Sequence, residues 1–127
     1  MRGLADTSVF IALESGRPVR VDAIPEQLAV SIVTVGELRA GVLSAVDSES
    51  RARRLETLIR VLAMDPVSID ESVAQAWSEL RVRLRTAGKR MPVNDSWIAA
   101  TAISLGLPIV SQDDDYDDLP GVDVIKV

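Results

Sequence analysis

The chain has 127 residues, 47% of them apolar and 26% charged, with a formal net charge of −5; that supports one hydrophobic core and is short for two, so residues 1–127 are read as one domain. Neither cysteine nor histidine occurs, which excludes a disulfide framework, a thiolate zinc site and an imidazole base or ligand. Catalysis would have to run on carboxylates, hydroxyls, lysine, arginine or water under the influence of a cation. Residues 1–6 carry no basic segment leading into a long apolar stretch, and no apolar run approaches bilayer length, so a cytoplasmic protein is expected.

In chain order, Gly3 to Ala5 form a short apolar entry, and Asp6, Thr7 and Ser8 make a natural helix start before the run Val9 to Leu13, which Gly16 and Pro18 close. Leu28 to Val33 reads as an apolar, β-branched strand, and Thr34 follows as the cap of a helix that carries Glu37 and runs to about Val46. Ser48 or Ser50 opens the next helix, with Leu55, Leu58, Ile59 and Leu62 on one face. Met64 to Ile69 reads as a further strand, its Pro66 suiting an edge or an entry position. A long helix is predicted from Asp70 to Thr86, with Val73, Ala76, Trp77, Leu80 and Leu84 at three- and four-residue spacing and Gly88 as its stop. Asn94 is placed to cap a helix whose Ile98, Ala99, Ala102, Ile103 and Leu105 face a core. Gly106 ends that helix, Pro108 to Val110 form a buried strand, and Val122 to Val127 form the last one. Strands separated by helices imply a parallel sheet wrapped in helices, because parallel neighbours need crossover connections.

Four acids stand at strand ends or on helices of this scheme: Asp6, Glu37, Asp95 and Asp113. In an open α/β sheet ligands gather outside the carboxyl ends of the strands; Asp6, Asp113 and Asp115 each follow a predicted strand, and Asp95 begins a helix. Carboxylates are hard oxygen ligands that suit Mg²⁺ or Mn²⁺, and several in one pocket repel one another unless a divalent cation lies among them. Phosphodiester hydrolysis is the chemistry such a site favours. The charge distribution agrees with a polyanionic partner despite the net negative sign. Residues 51–90 hold nine basic and five acidic side chains, whereas residues 91–127 hold one and seven. The basic tract Arg51, Arg53, Arg54, Arg60, Arg81, Arg83, Arg85, Lys89 and Arg90 could track phosphates, with Arg51, Arg53, Arg54, Arg81, Arg83 and Arg85 as the candidates for RNA contact, the alternative being solvated helix faces.

The order of these motifs carries a resemblance. Leu4-Ala5-Asp6-Thr7-Ser8, then Val35-Gly36-Glu37-Leu38-Arg39-Ala40-Gly41, then Asn94-Asp95-Ser96-Trp97-Ile98 running on to Ile109-Val110-Ser111-Gln112-Asp113 and Asp115-Tyr116, with a closing strand after Pro120-Gly121, resemble the PIN-domain ribonucleases. More narrowly they resemble the VapC toxins of bacterial toxin–antitoxin pairs, over essentially the whole chain. The resemblance implies an α/β/α sandwich with a central parallel sheet and a Mg²⁺- or Mn²⁺-dependent endoribonuclease. The RNA expected is structured or loop RNA, tRNA foremost, cleaved so as to stop translation and growth, and the expected restraint is a small VapB antitoxin. The free toxin is expected to pair as a homodimer.

By motif, the metal-binding and catalytic acids fall on Asp6, Glu37, Asp95 and Asp113, with Asp115 auxiliary. Asp113 is preferred to Asp115, and Asp114 set aside, because side chains two apart in an extended segment point to the same side. Thr7 and Ser111 are assigned to hydroxyls that order the acids, and Ser8 is read as structural. Ser111 stands where threonine is more usual and Tyr116 where phenylalanine is more usual, and Trp97 sets a large ring beside the third acid.

Each acid also has an ordinary role open to it: Asp6 as a helix cap, Asp95 as a partner of the helix dipole, residues 113–118 as a solvated turn, Glu37 as a surface glutamate. Gly36, Ala40 and Gly41 leave room for Glu37 to turn inward. Only the joint pattern is specific. A receiver-like signalling domain would want two adjacent acids after the first strand and a lysine after a late one, but Thr7 follows Asp6 and Lys126 lies within the last strand. A PIN-like binding module without activity would show no metal dependence. Trp77 is read as core from its spacing with Val73 and Leu80, Trp97 is left open, and the stripe Leu55, Leu58, Ile59 and Leu62 is the candidate wall of an antitoxin groove.

Overall fold

Four short strands form one parallel sheet: β1 (Arg2–Ala5), β2 (Gln27–Val30), β3 (Ile109–Ser111) and β4 (Val124–Lys126), in the spatial order β2-β1-β3-β4. The structure, a computed structural model, describes residues 1–127. Five helices connect and cover the strands: α1 (Thr7–Ser15), α2 (Ile32–Leu43), α3 (Ser48–Leu62), α4 (Glu71–Thr86) and α5 (Val93–Leu105), with a 3₁₀ turn at Val21–Ala23.

The pleat sends alternate residues to opposite faces. Leu4 and Ile109 pack with Leu80 and Leu84 of α4 and with Ile98, Ala99 and Ala102 of α5. On the other face Val110 packs with Val9 of α1 and with Leu28 and Ile125. A third cluster joins Val30 to Val35 and Leu38 of α2 and to Leu58 and Val61 of α3. The result is the parallel sheet wrapped in helices that the alternation of strands and helices predicts, in the α/β/α sandwich that the family resemblance implies. Gly3 is where the central strands need a bare backbone: a Cβ there would meet Val110 Cγ2 at 2.7 Å and Pro25 Cγ at 3.2 Å.

Several boundaries differ from the sequence reading, each for a local reason. The strand predicted over Leu28 to Val33 stops at Val30, because Ser31 caps α2 with its own hydroxyl on Val33 N at 3.0 Å. Thr34 is therefore not a cap but a fully buried helical residue. Asp47, rather than Ser48 or Ser50, caps α3, accepting from Ser50 N at 2.7 Å. Pro92 occupies the cap position of α5 in place of Asn94. The strand predicted over Met64 to Ile69 is reduced to one bridge, Val67 beside Ser31; Asp65 turns the chain at φ 51 and Pro66 has no N–H for a ladder. Leu105 lies 42% exposed, while Ala100 and Thr101 are buried, so α5 is enclosed on more sides than its predicted face.

Leu58 is 2% exposed, whereas Leu55, Ile59 and Leu62 are 44%, 57% and 41% exposed. Leu58 thus belongs to the core and not to a groove wall. The open stripe of α3 is the other three residues.

Candidate active site

The sheet order sets the position of the site. The chain runs from β1 to β2 on one side and returns by α2 to α5 to β3 on the other side of β1, which leaves a crevice where the carboxyl ends of β1 and β3 diverge. Asp6 N donates to Val110 O at 2.9 Å, so the residue after β1 and the segment after β3 start side by side. Asp6, Glu37, Asp95 and Asp113, from four separate stretches of chain, line one cavity of about 220 Å³ together with Thr7, Ser8 and Arg17.

Asp6 is 2% exposed, and every donor on it is uncharged. Tyr116 Oη donates to Oδ1 at 2.7 Å, Ser111 Oγ donates to Oδ2 at 3.1 Å, and Ser8 N approaches Oδ2 at 3.4 Å. The helix-capping and site roles are therefore combined in one side chain. Ser111 Oγ in turn accepts from Asp113 N at 2.9 Å, and Ser8 Oγ accepts from Gln112 N at 3.1 Å, so two serines tie the segment after β3 to the start of α1. Ser8, assigned a structural role from sequence, is part of this tie.

Glu37 is placed by hydroxyls as well. Thr7 Oγ1 donates to Glu37 Oε1 at 2.7 Å and lies 2.8 Å from Thr34 Oγ1. A hydroxyl has one proton, so Thr34 donates to Thr7 and Thr7 to Glu37, a directed chain. The small residues around Glu37 contribute less than expected: a Cβ on Gly36 would meet nothing within 4 Å, and one on Gly41 only Arg54 Cδ at 3.9 Å.

Burial, the side-chain hydrogen bond with Asp115 and the charges of Asp6 and Asp115 push the Asp95 carboxyl up to about 7, against a smaller opposing effect of the Tyr116 hydroxyl. Asp113 is also pushed up, by burial and by Asp6 and Asp115, with Arg17 and Lys126 acting in the opposite sense. Burial first, and then Asp6, drive the Tyr116 phenol up, so it remains a neutral donor. Asp114 points instead to Lys126, which forms ion pairs with Asp114 and Asp117. Residues 113–118 form bends and turns rather than the extended segment assumed in ranking Asp113 above Asp115. Asp113 lines the cavity, and Asp115 reaches the group through Asp95. No three of these acids converge to ligating geometry in the free protein.

The basic tract divides. Arg51 and Arg54 donate to the carbonyls of Ala45 and Gly41, at 3.1 and 2.7 Å, and Arg53 pairs with Glu49 at 3.4 Å. Arg53 and Arg54 share a cavity of about 400 Å³ with Glu37. Arg81 and Arg85 line a different cavity at the end of α4, and Arg83 lies apart from them near Gly121. Trp77 is half-buried and packs, as its spacing predicts, against the core cluster of Val73, Ala76 and Ala100; its ring stacks on Trp97 at 4.4 Å between centroids, and its Nε1 donates to Ser96 Oγ at 3.0 Å. Tyr116, Thr34, Arg17 and the tie through Ser8 are the site features that the sequence reading did not single out. The departure at Tyr116, a phenol where an apolar ring is more usual, was the available signal for the first.

With crevice, acids and hydroxyls in place, comparison with known proteins defines the class. The family model for the PIN domain matches residues 4–122, and the chain belongs to the PIN-domain family, in its VapC branch. It is 46% identical to ribonuclease VapC5 of Mycobacterium tuberculosis, over 98% of this chain and 95% of that protein. It is 49% identical to ribonuclease VapC4 of the same organism, over 99% and 97%. A solved member of the VapBC family of toxin–antitoxin systems, VapBC-5 of M. tuberculosis, superposes with a TM-score of 0.90 at 42% identity, covering 99% of this chain and 98% of that one.

The raised Asp95 carboxyl makes stability fall with pH. Between about 4 and about 7 the folded chain holds a proton that the unfolded chain has released; the penalty is absent below that window and complete above it. Thermal unfolding in chelator at about pH 8 is expected to show Asp95→Asn more stable than the parent by about 1–2 kcal/mol, a figure reduced for the screening of a half-exposed group. The variant is also expected to lose most of the slope between those pH values. Equal stability of the two proteins at that pH would remove charge crowding from the account.

Proposed function

We propose that this chain is a divalent-metal-dependent endoribonuclease, the toxin half of a toxin–antitoxin pair, which cuts structured or loop RNA, tRNA foremost, and so stops translation and growth in the cytoplasm. The observation that carries the reading is the gathering of Asp6, Glu37, Asp95 and Asp113 in one cavity with hydroxyls as their closest fixed partners. The ribonuclease names of VapC5 and VapC4 support it.

The donor set fits a hard cation, since it consists of carboxylate oxygens with no nitrogen or sulfur ligand among them. Asp6, Asp95 and Asp113 would hold Mg²⁺ or Mn²⁺, with Glu37 and Asp115 as further oxygen donors. Bound there, the cation supplies charge neutralisation and Lewis acidity at a phosphodiester. Tyr116 and Ser111 fix both oxygens of Asp6, and Thr7 fixes one oxygen of Glu37 and leaves the other free. Burial and the neighbouring acids hold a proton on Asp95 in the free protein, and a cation bound there would displace it. Water attack leaves a 5′-phosphate and a 3′-hydroxyl.

Cleavage of total RNA with 5′-end mapping tests the reading and names the substrate. Mg²⁺ or Mn²⁺ is expected to be required, and Asp6→Asn or Asp113→Asn is expected to lower the rate about 100-fold or more while leaving the fold intact. Undiminished cleavage in chelator, or in Asp6→Asn, would sink it.

The partner is proposed to be a small antitoxin of the VapB kind, laying an apolar helical segment on the open stripe Leu55, Ile59 and Leu62 of α3, with a basic side chain directed to the acids. VapBC-5, solved as a member of a toxin–antitoxin family, supports this, and a toxin homodimer belongs to the same proposal. Ile59→Asp leaves the core untouched, whereas Leu58→Asp would bury a charge. Co-expression with the neighbouring small reading frame should show Ile59→Asp capturing less antitoxin than the parent at unchanged RNA cleavage. Capture equal to the parent's would move the partner to another face.

A further inference from the structure

A second cavity gathers cations that the acid site does not use. Arg81, Arg85, Lys89 and Arg90 line a space of about 530 Å³ at the end of α4, with Leu84 and Met91 as an apolar floor. Its volume is that of an ordinary ligand pocket. No carboxylate lines it, and none of the four cations belongs to an ion pair; the pairs in this chain are Arg53 with Glu49, Arg60 with Glu56, and Lys126 with Asp114 and Asp117. Two of the four are held without being neutralised. The Arg81 guanidinium lies 5.5 Å from the centre of the Trp77 ring, and Lys89 Nζ donates to the Asp118 carbonyl at 3.2 Å. Four like charges brought together with no internal counter-charge leave an unfavourable field that a bound anion relieves.

The position of the cavity decides which anion. Val93, the first residue of α5, lines it, and Asp95, two residues on and about 200° round the helix, lines the acid site. A strand crossing the start of α5 meets cations on one side and the acids on the other. We propose that this cavity holds backbone phosphates of the single-stranded RNA whose scissile bond lies at the acid cluster, the apolar floor taking the sugar edge. The four cations position the strand and Asp95 stands at its turn toward the cut. This inference rests on the nuclease reading and adds to it the path of the substrate. A basic rim carries affinity, not sequence selectivity, so the loss on mutation is uniform across RNA sequences.

The test is fluorescence anisotropy of a labelled single-stranded oligoribonucleotide with the full chain in chelator, between about 50 and 200 mM salt. The variants are Arg85→Ala, Arg90→Ala and their double, whose side chains are exposed, with Arg60→Ala of the Glu56 pair as control. Each cavity variant should bind several-fold more weakly at the low-salt end, with the slope of log K against log salt flatter by about 0.7 per lost phosphate contact and an unchanged melting temperature. The control should match the parent. Parental slopes in all cavity variants would overturn the proposal; if the parent also cleaves RNA with Mn²⁺, the nuclease reading survives that result. A parent that neither binds nor cleaves RNA overturns both. Variants that keep the parental RNA slope but no longer retain a co-expressed acidic partner assign the cavity to a protein and overturn the proposal as well.

Discussion

Like charges crowded at the open end of β1 and β3 are the constraint on which the rest of this structure depends. Asp6 is almost fully enclosed and has only neutral donors on it, from Tyr116, Ser111 and the Ser8 amide. A lysine or arginine in contact with Asp6 would have balanced its charge and filled the position that the proposed cation needs. Neutral hydroxyls orient the carboxylates and leave the charge unspent, which matches the general pattern in which active sites hold groups a stability-optimised protein would not. Arg17 lines the same cavity and, with Lys126, opposes the upward push on Asp113, and Lys126 is already engaged by Asp114 and Asp117.

Parallel topology turns this local arrangement into a site. Only the return of the chain to the far side of β1 brings residues 6 and 113 together, and only the packing of α5 over Leu4 and Ile109 carries Asp95 to the same edge. The hydroxyl tie from Ser8 and Ser111 then fixes the segment after β3 where strand pairing has ended.

The sheet and helices were legible because periodicity of two and of 3.6 differ strongly over Leu28 to Val30, Val73 to Leu84 and Ile98 to Ala102. The acids were legible only through their joint order, since each by itself also suits a cap or a turn. What sequence could not place was set by contacts distant in the chain. Tyr116 reaches Asp6 across 110 positions, and Thr34 donates a hydrogen bond to Thr7 across 27. The edge strand at Met64 to Ile69 failed because propensity said nothing of the left-handed turn at Asp65. Leu58 and Ile59 share an apolar stripe in sequence, and packing of α3 against α2 alone separates the buried one from the open one.

The segregation of charge gives the molecule two faces around the start of α5, one acidic and one basic, beneath a net charge of −5. Under the proposed function the acidic face exchanges the Asp95 proton for a divalent cation. Calorimetric titration of the free protein with Mn²⁺ near pH 6, repeated in two buffers of different ionisation enthalpy, measures that exchange directly. Binding is expected to release about one proton per ion in the parent and markedly less in Asp95→Asn. Absence of binding, or binding with no proton released, would contradict it.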